Sequence, residues 1–277
     1  MALTLTLDEF VGTLRASRLE MIIALLLAAS LSPCRVIHAR YEAPAALLQP
    51  GWSAERVQLA LATIVVPHPN GPVLIDPALG SQSQGDLREL PFWLRLQFPD
   101  LERAPRLPAS IAPQAILLTH AHWDHLSGAA DWPAVPILLH RLELDWARAL
   151  TREDGYARGV LQLQLRRSAP RLRPFSFSRP TYDVLGDGSI IALQLPGHTP
   201  GSVGYLVSDW LFIGDALWRR EGEKSRLASA VDEDAAEAAR MRESLRALLR
   251  ERPKLRIVPA HDAKALEELP ACEGLNQ

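Results

Sequence analysis

Cysteine is nearly absent. Cys34 and Cys272 are the only two in 277 residues, too few for a disulfide framework, and neither stands in a C-x-x-C pair or beside the histidines, so they promise little chemistry. An excess of one charge is missing as well: 30 Lys and Arg face 32 Asp and Glu, a net charge of −2. With no long run of one sign, the chain lacks the basic footprint of a nucleic-acid binder. No apolar run reaches the roughly 20 residues that a membrane-spanning helix needs. Internal repeats, low-complexity tracts and obvious linkers are also wanting, which leaves out solenoids and fibrous chains. What remains is ordinary globular usage, 48% hydrophobic and 22% charged, long enough for a sizeable core in one domain.

The amino terminus stands apart. Residues 21–31 (MIIALLLAASL) form an uncharged apolar run of signal-peptide length, with Arg15 and Arg18 before it and small residues at Ala28 and Ser30. Asp8, Glu9 and Glu20 dilute the positive lead, and Leu31-Ser32-Pro33-Cys34 only loosely resembles a lipoprotein box. Residues 1–35 are therefore expected to be a cleaved or anchoring segment and residues 36–277 the folded domain. Export, for instance to a periplasm, is the favoured expectation. The alternative is a cytoplasmic chain whose first helix packs on the domain's flank.

Beyond residue 57 the chain breaks into short apolar runs. VQLALATIVV and VLIDP flank Asn70-Gly71, a hairpin signal. Residues 85–98 carry helical spacing disturbed by Pro91, AILL at 115–118 and ILLH at 137–140 read as buried strands, and a helix is expected from Gly128 between them. Residues 142–165 read as mostly helical. Strands follow at 190–195, 203–207, 210–213 and 255–258, with an amphipathic helix over 232–250 whose early acids and late arginines suit its dipole. The economical reading is mixed α/β in a single domain.

Three of the eight histidines fall within six residues, His120-Ala121-His122-Trp123-Asp124-His125, directly after the buried strand. A strand end can turn successive side chains toward one point, and imidazole with carboxylate is a ligand set for zinc and its neighbours. A merely polar loop would leave these groups unsatisfied or mutually repelling. His198 and His261 are unremarkable alone, but Pro-Gly-His-Thr and Pro-Ala-His-Asp both follow apolar strands. His38, His68 and His140 match no pattern and are read as structural.

The run H-x-H-x-D-H resembles the defining motif of the metallo-β-lactamase superfamily. Residues 195–202 (LPGHTPGS) resemble its histidine loop, 212–216 (FIGDA) its bridging-aspartate strand end, 258–262 (VPAHD) its last histidine, and 73–76 (VLID) the early strand whose aspartate supports the metal loop. The resemblance implies a four-layered αββα sandwich. It also implies one metal on His120, His122 and His198, a second on Asp124, His125 and His261, and Asp215 bridging. The ions would be two Zn²⁺, with iron or manganese as substitutes, and a hydroxide between them would attack an ester, lactone or related activated carbonyl. Asp124 would double as ligand and proton carrier, and Asp76 would hydrogen-bond a ligand.

Departures from the family narrow the choice. Asp215 stands where β-lactam-hydrolysing members usually have cysteine or no bridging carboxylate, and little chain follows His261 to hold the helical domain of glyoxalase II-like thioesterases. The stretch from Asp215 to His261 is filled mainly by one helix, without the insertion of nucleic-acid-cleaving members. His122 replaces the glutamate of flavo-diiron relatives. A compact lactonase-like hydrolase remains, acting on a small molecule with a hydrolysable carbonyl. Membrane contact is expected only through an uncleaved leader, and nothing predicts oligomeric state. Where lactonases carry a tyrosine three residues past the bridging aspartate, this chain has Trp218, a substrate-pocket candidate that donates a hydrogen bond but takes up no proton. Tyr156 is a remote substitute. Phe92, Trp93, Leu94, Phe98 and Trp146 are candidate apolar walls. The rivals are phosphodiester or sulfate-ester hydrolysis, with Arg219 and Arg220 gripping the anion, β-lactamase-like activity, and a non-catalytic metal-binding domain.

Overall fold

The computed structural model describes residues 31–48, 56–88, 106–108, 110–150, 158–220 and 231–273. Most of the apolar leader, Phe92, Trp93, Leu94, Phe98 and Tyr156 lie outside these. The first described strand is β1 (Cys34–Pro44), whose first two residues fall within the segment 1–35 expected to be a leader. After one turn of helix, α1 (Ala45–Leu48), comes β2 (Arg56–Val66), which turns at Asn70-Gly71 into β3 (Val73–Ile75). Gly71, at φ +112°, supplies the left-handed turn residue, and Val66 pairs with Val73 across the hairpin.

Helix α2 (Ser83–Leu87), strand β4 (Ala115–Leu117), helix α3 (Trp123–Leu126), strand β5 (Ile137–His140), helices α4 (Arg141–Ala149) and α5 (Arg158–Ser168) and strand β6 (Leu172–Phe175) complete the first half. Strands β1 to β6 form one sheet in chain order, parallel from β3 onward. The helix expected from Gly128 begins earlier: the H-x-H-x-D-H run itself turns into α3, with Asp124 in the first turn, where a carboxylate suits the exposed amides, and a 3₁₀ turn follows over Ser127–Asp131.

The second sheet comprises β7 (Thr181–Asp183), β8 (Ile191–Gln194), β9 (Val203–Val207), β10 (Trp210–Gly214) and, after helix α6 (Ala235–Glu251), β11 (Arg256–Pro259), in the order β11-β10-β9-β8-β7. Helix α7 (Ala263–Glu267) follows. The long helix starts at Ala235 rather than residue 232 because the Asp234 carboxylate caps it, accepting from the Glu237 amide at 2.8 Å.

Side-chain alternation builds the layers. Ile75 and Leu117 point inward to meet Tyr205, Phe212 and Val258 of the other sheet, while Leu74 and Ile116 point outward against Leu144, Leu161 and Leu165. On the far side, Met241, Leu245 and Leu248 of α6 cover Leu211, Ile213 and Ile257. Helix, sheet, sheet, helix is the expected αββα sandwich.

The cysteines depart from expectation. Cys34 and Cys272, 238 residues apart in sequence, form a disulfide with Cα atoms 5.0 Å apart. Beside it the Arg35 amide donates to the Pro270 carbonyl and the Cys272 amide to the Arg35 carbonyl, which lays the carboxy-terminal segment along the β1 edge. Among the described residues no helix is long and apolar enough to cross a membrane.

Candidate metal centre

Every sequence-predicted ligand lies just beyond the C-terminal end of a strand: His120 to His125 after β4, His198 after β8, Asp215 after β10 and His261 after β11. These ends meet on one rim where the two sheets converge. Gly214 makes the meeting possible. At φ +54° it sits so close to Thr119 that a Cβ would lie 2.4 Å from the threonine Oγ1, so only glycine lets β10 deliver Asp215 between the histidine loops.

The ligands fall into two groups, His120, His122, His198 and Asp215, then Asp124, His125 and His261, with donor atoms in each within 4.8 Å of one another. In the first, His122 Nδ1 is 3.0 Å from His120 Nε2 and 3.1 Å from His198 Nε2, and Asp215 Oδ2 lies 3.9 and 3.6 Å from the latter two nitrogens. In the second, Asp124 Oδ2 lies 4.0 Å from His125 Nε2 and 3.5 Å from His261 Nε2. Asp215 reaches this group too, with Oδ1 3.4 Å from His125 Nε2 and Oδ2 3.3 Å from His261 Nε2.

Outer partners decide which nitrogen faces inward. His125 Nδ1 donates to Asp76 Oδ2 at 2.9 Å and His261 Nδ1 to the Ala60 carbonyl at 2.9 Å. Thr119 Oγ1 donates to Asp76 Oδ2 at 2.6 Å, which leaves it to accept from His120 Nδ1 at 3.1 Å. His198 Nδ1 lies 3.5 Å from Asp232 Oδ1, and the same aspartate accepts from buried Arg242 at 2.9 Å. In His120, His125 and His261 the Nδ1 bond turns Nε2 inward, where it can offer a lone pair to a metal, the arrangement that ligand histidines need. Asp76 makes this connection from a left-handed backbone, φ 47°, a conformation found where surroundings over-determine it.

A metal pair fits these residues. His125 Nε2, His261 Nε2 and Asp215 Oδ1 are buried without a hydrogen bond among the described residues, and the donors are the borderline nitrogens and hard oxygens that zinc, iron or manganese take. The protonation tendencies agree. Burial, then neighbouring imidazoles, hold His120 and His122 well below the ordinary histidine range. His125 and His261 move up although burial opposes it, because Asp215 lies against both. Asp215 is held well below the usual carboxylate range although burial opposes that too, with His261 and His125 responsible. The cluster calls for positive charge at its centre, which divalent ions supply on displacing protons.

The opening is marked by His122 and Asp124, half-buried while the other ligands are buried. Aromatic rings flank it: Trp146 lies 5.8 Å from the His122 ring, and Trp218 stacks on His261 at 4.8 Å and 17°. Arg220 does not serve it, since its guanidinium binds Glu268 and the Ile257 carbonyl. His38 bonds Thr63, His68 bonds Asp187 and Gln114, and His140 lies against the Gly201 carbonyl, all away from the ligand cluster. Four neighbours escaped the sequence reading: Thr119, Glu143, Asp232 and Tyr41, whose hydroxyl is 3.4 Å from His261 Nδ1. Burial, with Asp124 and Asp215 nearby, keeps Tyr41 a neutral phenol. Thr119 follows the AILL strand and was the one within reach of motif reasoning.

The family model for the metallo-β-lactamase superfamily matches residues 57–261. The probable metallo-hydrolase YqgX of Bacillus subtilis is 34% identical over 124 residues, 39% of this chain and 52% of that protein. A hydroxyacylglutathione hydrolase of Edwardsiella ictaluri is 31% identical over 112 residues, 39% of this chain and 35% of that protein. The chain thus spans about half the length, or less, of these curated relatives. Among solved structures, an N-acyl homoserine lactone hydrolase with N-hexanoyl-L-homoserine at its catalytic metal centre superposes with a TM-score of 0.67 at 16% identity, covering 87% of this chain and 98% of that one.

Proposed function

The chain belongs to the metallo-β-lactamase superfamily, and from its site we propose that it is a metal-dependent hydrolase that binds two zinc ions and opens an ester, lactone or related activated carbonyl. The observation that carries this reading is the convergence of two donor groups on Asp215, with inward ring nitrogens and buried atoms that have no hydrogen bond among the described residues. Metal ions held there would supply Lewis acidity and bring the pKa of a bound water down to near neutral. The protein's own share is orientation and proton handling. Asp76, Ala60 and Asp232 fix the ring nitrogens, and Asp124, the half-open carboxylate, carries the proton between the site and solvent. Trp146 and Trp218 border the entrance with apolar faces, which suits an acyl or other hydrophobic group. Phosphate or sulfate esters lose one of the two arginines expected to grip them, because Arg220 is committed to Glu268.

The test is metal analysis joined to a panel of esters, lactones, thioesters and phosphodiesters on metal-replete protein. Carbonyl-substrate turnover that His122→Ala abolishes supports the reading. Fewer than about one ion per chain in every preparation defeats it, and full occupancy without any turnover favours a non-catalytic metal-binding domain. We further propose that the protein works outside the reducing cytosol. The Cys34–Cys272 disulfide supports this, since such bonds persist in oxidising compartments. Thiol titration of denatured protein from the native host settles it, with free thiols in both cysteines as the contrary result.

A further inference from the structure

Glu143 opens helix α4, 1% exposed, and none of the site motifs contains it. Its carboxylate nevertheless joins two of them. Oε1 accepts from the Ala121 amide at 2.8 Å, the peptide between His120 and His122. Oε2 accepts from Thr199 Oγ1 at 2.7 Å and from the Gly201 amide at 3.1 Å, in the loop that carries His198. The loop presses on the helix so closely that a Cβ at Gly201 would lie 2.1 Å from the Glu143 nitrogen. All three donors are neutral. The second donor group is held by other means, His125 by Asp76 and His261 by the Ala60 carbonyl, and Glu143 bonds to neither.

We propose that Glu143 is a positioning residue for one metal only, the ion on His120, His122 and His198, acting as a clamp that sets the separation of the two loops bearing those ligands. The inference rests on the two-metal reading above. A carboxamide at this position has one acceptor instead of two, so Glu143→Gln keeps the volume but turns an NH₂ against one loop or the other.

The experiment uses full-length chain and cobalt(II), followed by its visible bands and by chelator competition, in two single-site backgrounds. His261→Ala leaves the first group intact, and His122→Ala leaves the second. Glu143→Gln is expected to weaken cobalt about 10–100-fold in the His261→Ala background, the usual cost of losing an outer partner, and to alter its bands. In the His122→Ala background it is expected to change affinity less than about threefold. Melting of the metal-free proteins checks folding. If the glutamine variant does not fold, Thr199→Val, which removes one tie, is measured in the same backgrounds with the same asymmetry expected. Equal weakening in both backgrounds, or none in the first, overturns the proposal. Failure of the unsubstituted chain to bind a second cobalt overturns the two-metal reading itself.

Discussion

Asp76→Asn changes one atom in a buried triangle. The aspartate accepts three hydrogen bonds, at 2.8 Å from the Thr119 amide on Oδ1, and at 2.6 Å from Thr119 Oγ1 and 2.9 Å from His125 Nδ1 on Oδ2. Asparagine fills the same space with one oxygen. If that oxygen faces the Thr119 amide, the NH₂ meets His125 Nδ1–H, and the ring escapes only by moving its proton to Nε2, the atom turned toward Asp124 and Asp215. If the amide flips, the NH₂ meets the Thr119 amide. Either way a buried donor loses its acceptor, at about 1–3 kcal/mol.

The effect on metal follows from the first orientation. Losing an outer partner of a ligand histidine weakens the ion about 10–100-fold, which at 1.4 kcal/mol per tenfold is roughly 1.4–2.8 kcal/mol. The two estimates overlap because they describe one hydrogen bond. Chelator competition against wild type measures the affinity, and urea unfolding of the metal-free protein measures the orphaned donor. Affinity within threefold of wild type together with unchanged metal-free stability would refute the reasoning and leave Asp76 as a residue that merely starts a turn.

Other expectations follow from single features. Cys34→Ser releases a loop closed across 238 residues, worth about 5 kcal/mol in the chain-entropy model, so Tm should fall by roughly 10 °C or more; an unchanged Tm contradicts it. The Asp187 carboxyl is held below its usual range despite slight burial, because Ser189 and His68 donate to it. A depressed carboxylate stabilises above its unfolded value and loses that contribution as pH falls through the folded one. With the side chain 44% exposed, the contribution is about 0.2–1 kcal/mol. Asp187→Asn should therefore cost stability at pH 7 and progressively less as pH falls through the depressed folded carboxyl value; a gap that does not shrink in acid refutes the assignment. Trp218→Tyr, which introduces a phenol at the entrance, should shift kcat/KM from aryl ester toward acyl-lactone by roughly tenfold. A fall in lactone hydrolysis instead marks the indole as a wall for the natural substrate.

How much of this was legible depends on where each residue's partner lies. The ligand set could be read because its chemistry demands an unusual local density: three histidines and an aspartate in six positions, and lone histidines directly after apolar runs. Asp76 was legible for the same reason, at the end of VLI. Glu143 and Asp232 were not. Acids near helix starts are common for dipole and capping reasons alone, and their partners in the metal loops are tens of residues away. Strands β6 and β7, four and three residues long, carry too few alternations to separate from loop.

Strand β1, the disulfide and Tyr41 were missed together, and for one cause. In sequence the strand directly follows the apolar run, so its own pattern of buried Val36, His38 and Ala43 among less buried positions is swallowed by that run, and a bulge between Ile37 and Ala39 breaks the period. With the strand unseen, Cys34 had no fixed place from which to pair with Cys272. For the same reason Tyr41 had no place near the metals in the sequence, which offered Trp218 at the tyrosine position and Tyr156 as a remote phenol. In the folded chain the disulfide holds one end of β1 to the carboxy-terminal segment, and the same strand carries Tyr41 to within 3.4 Å of His261. The phenol thus meets His261 at its outward Nδ1, the nitrogen that also bonds the Ala60 carbonyl, and packs with Trp218 on one apolar cluster. Trp218 lies face to face with the same histidine, and Tyr41 meets that ring edge-on.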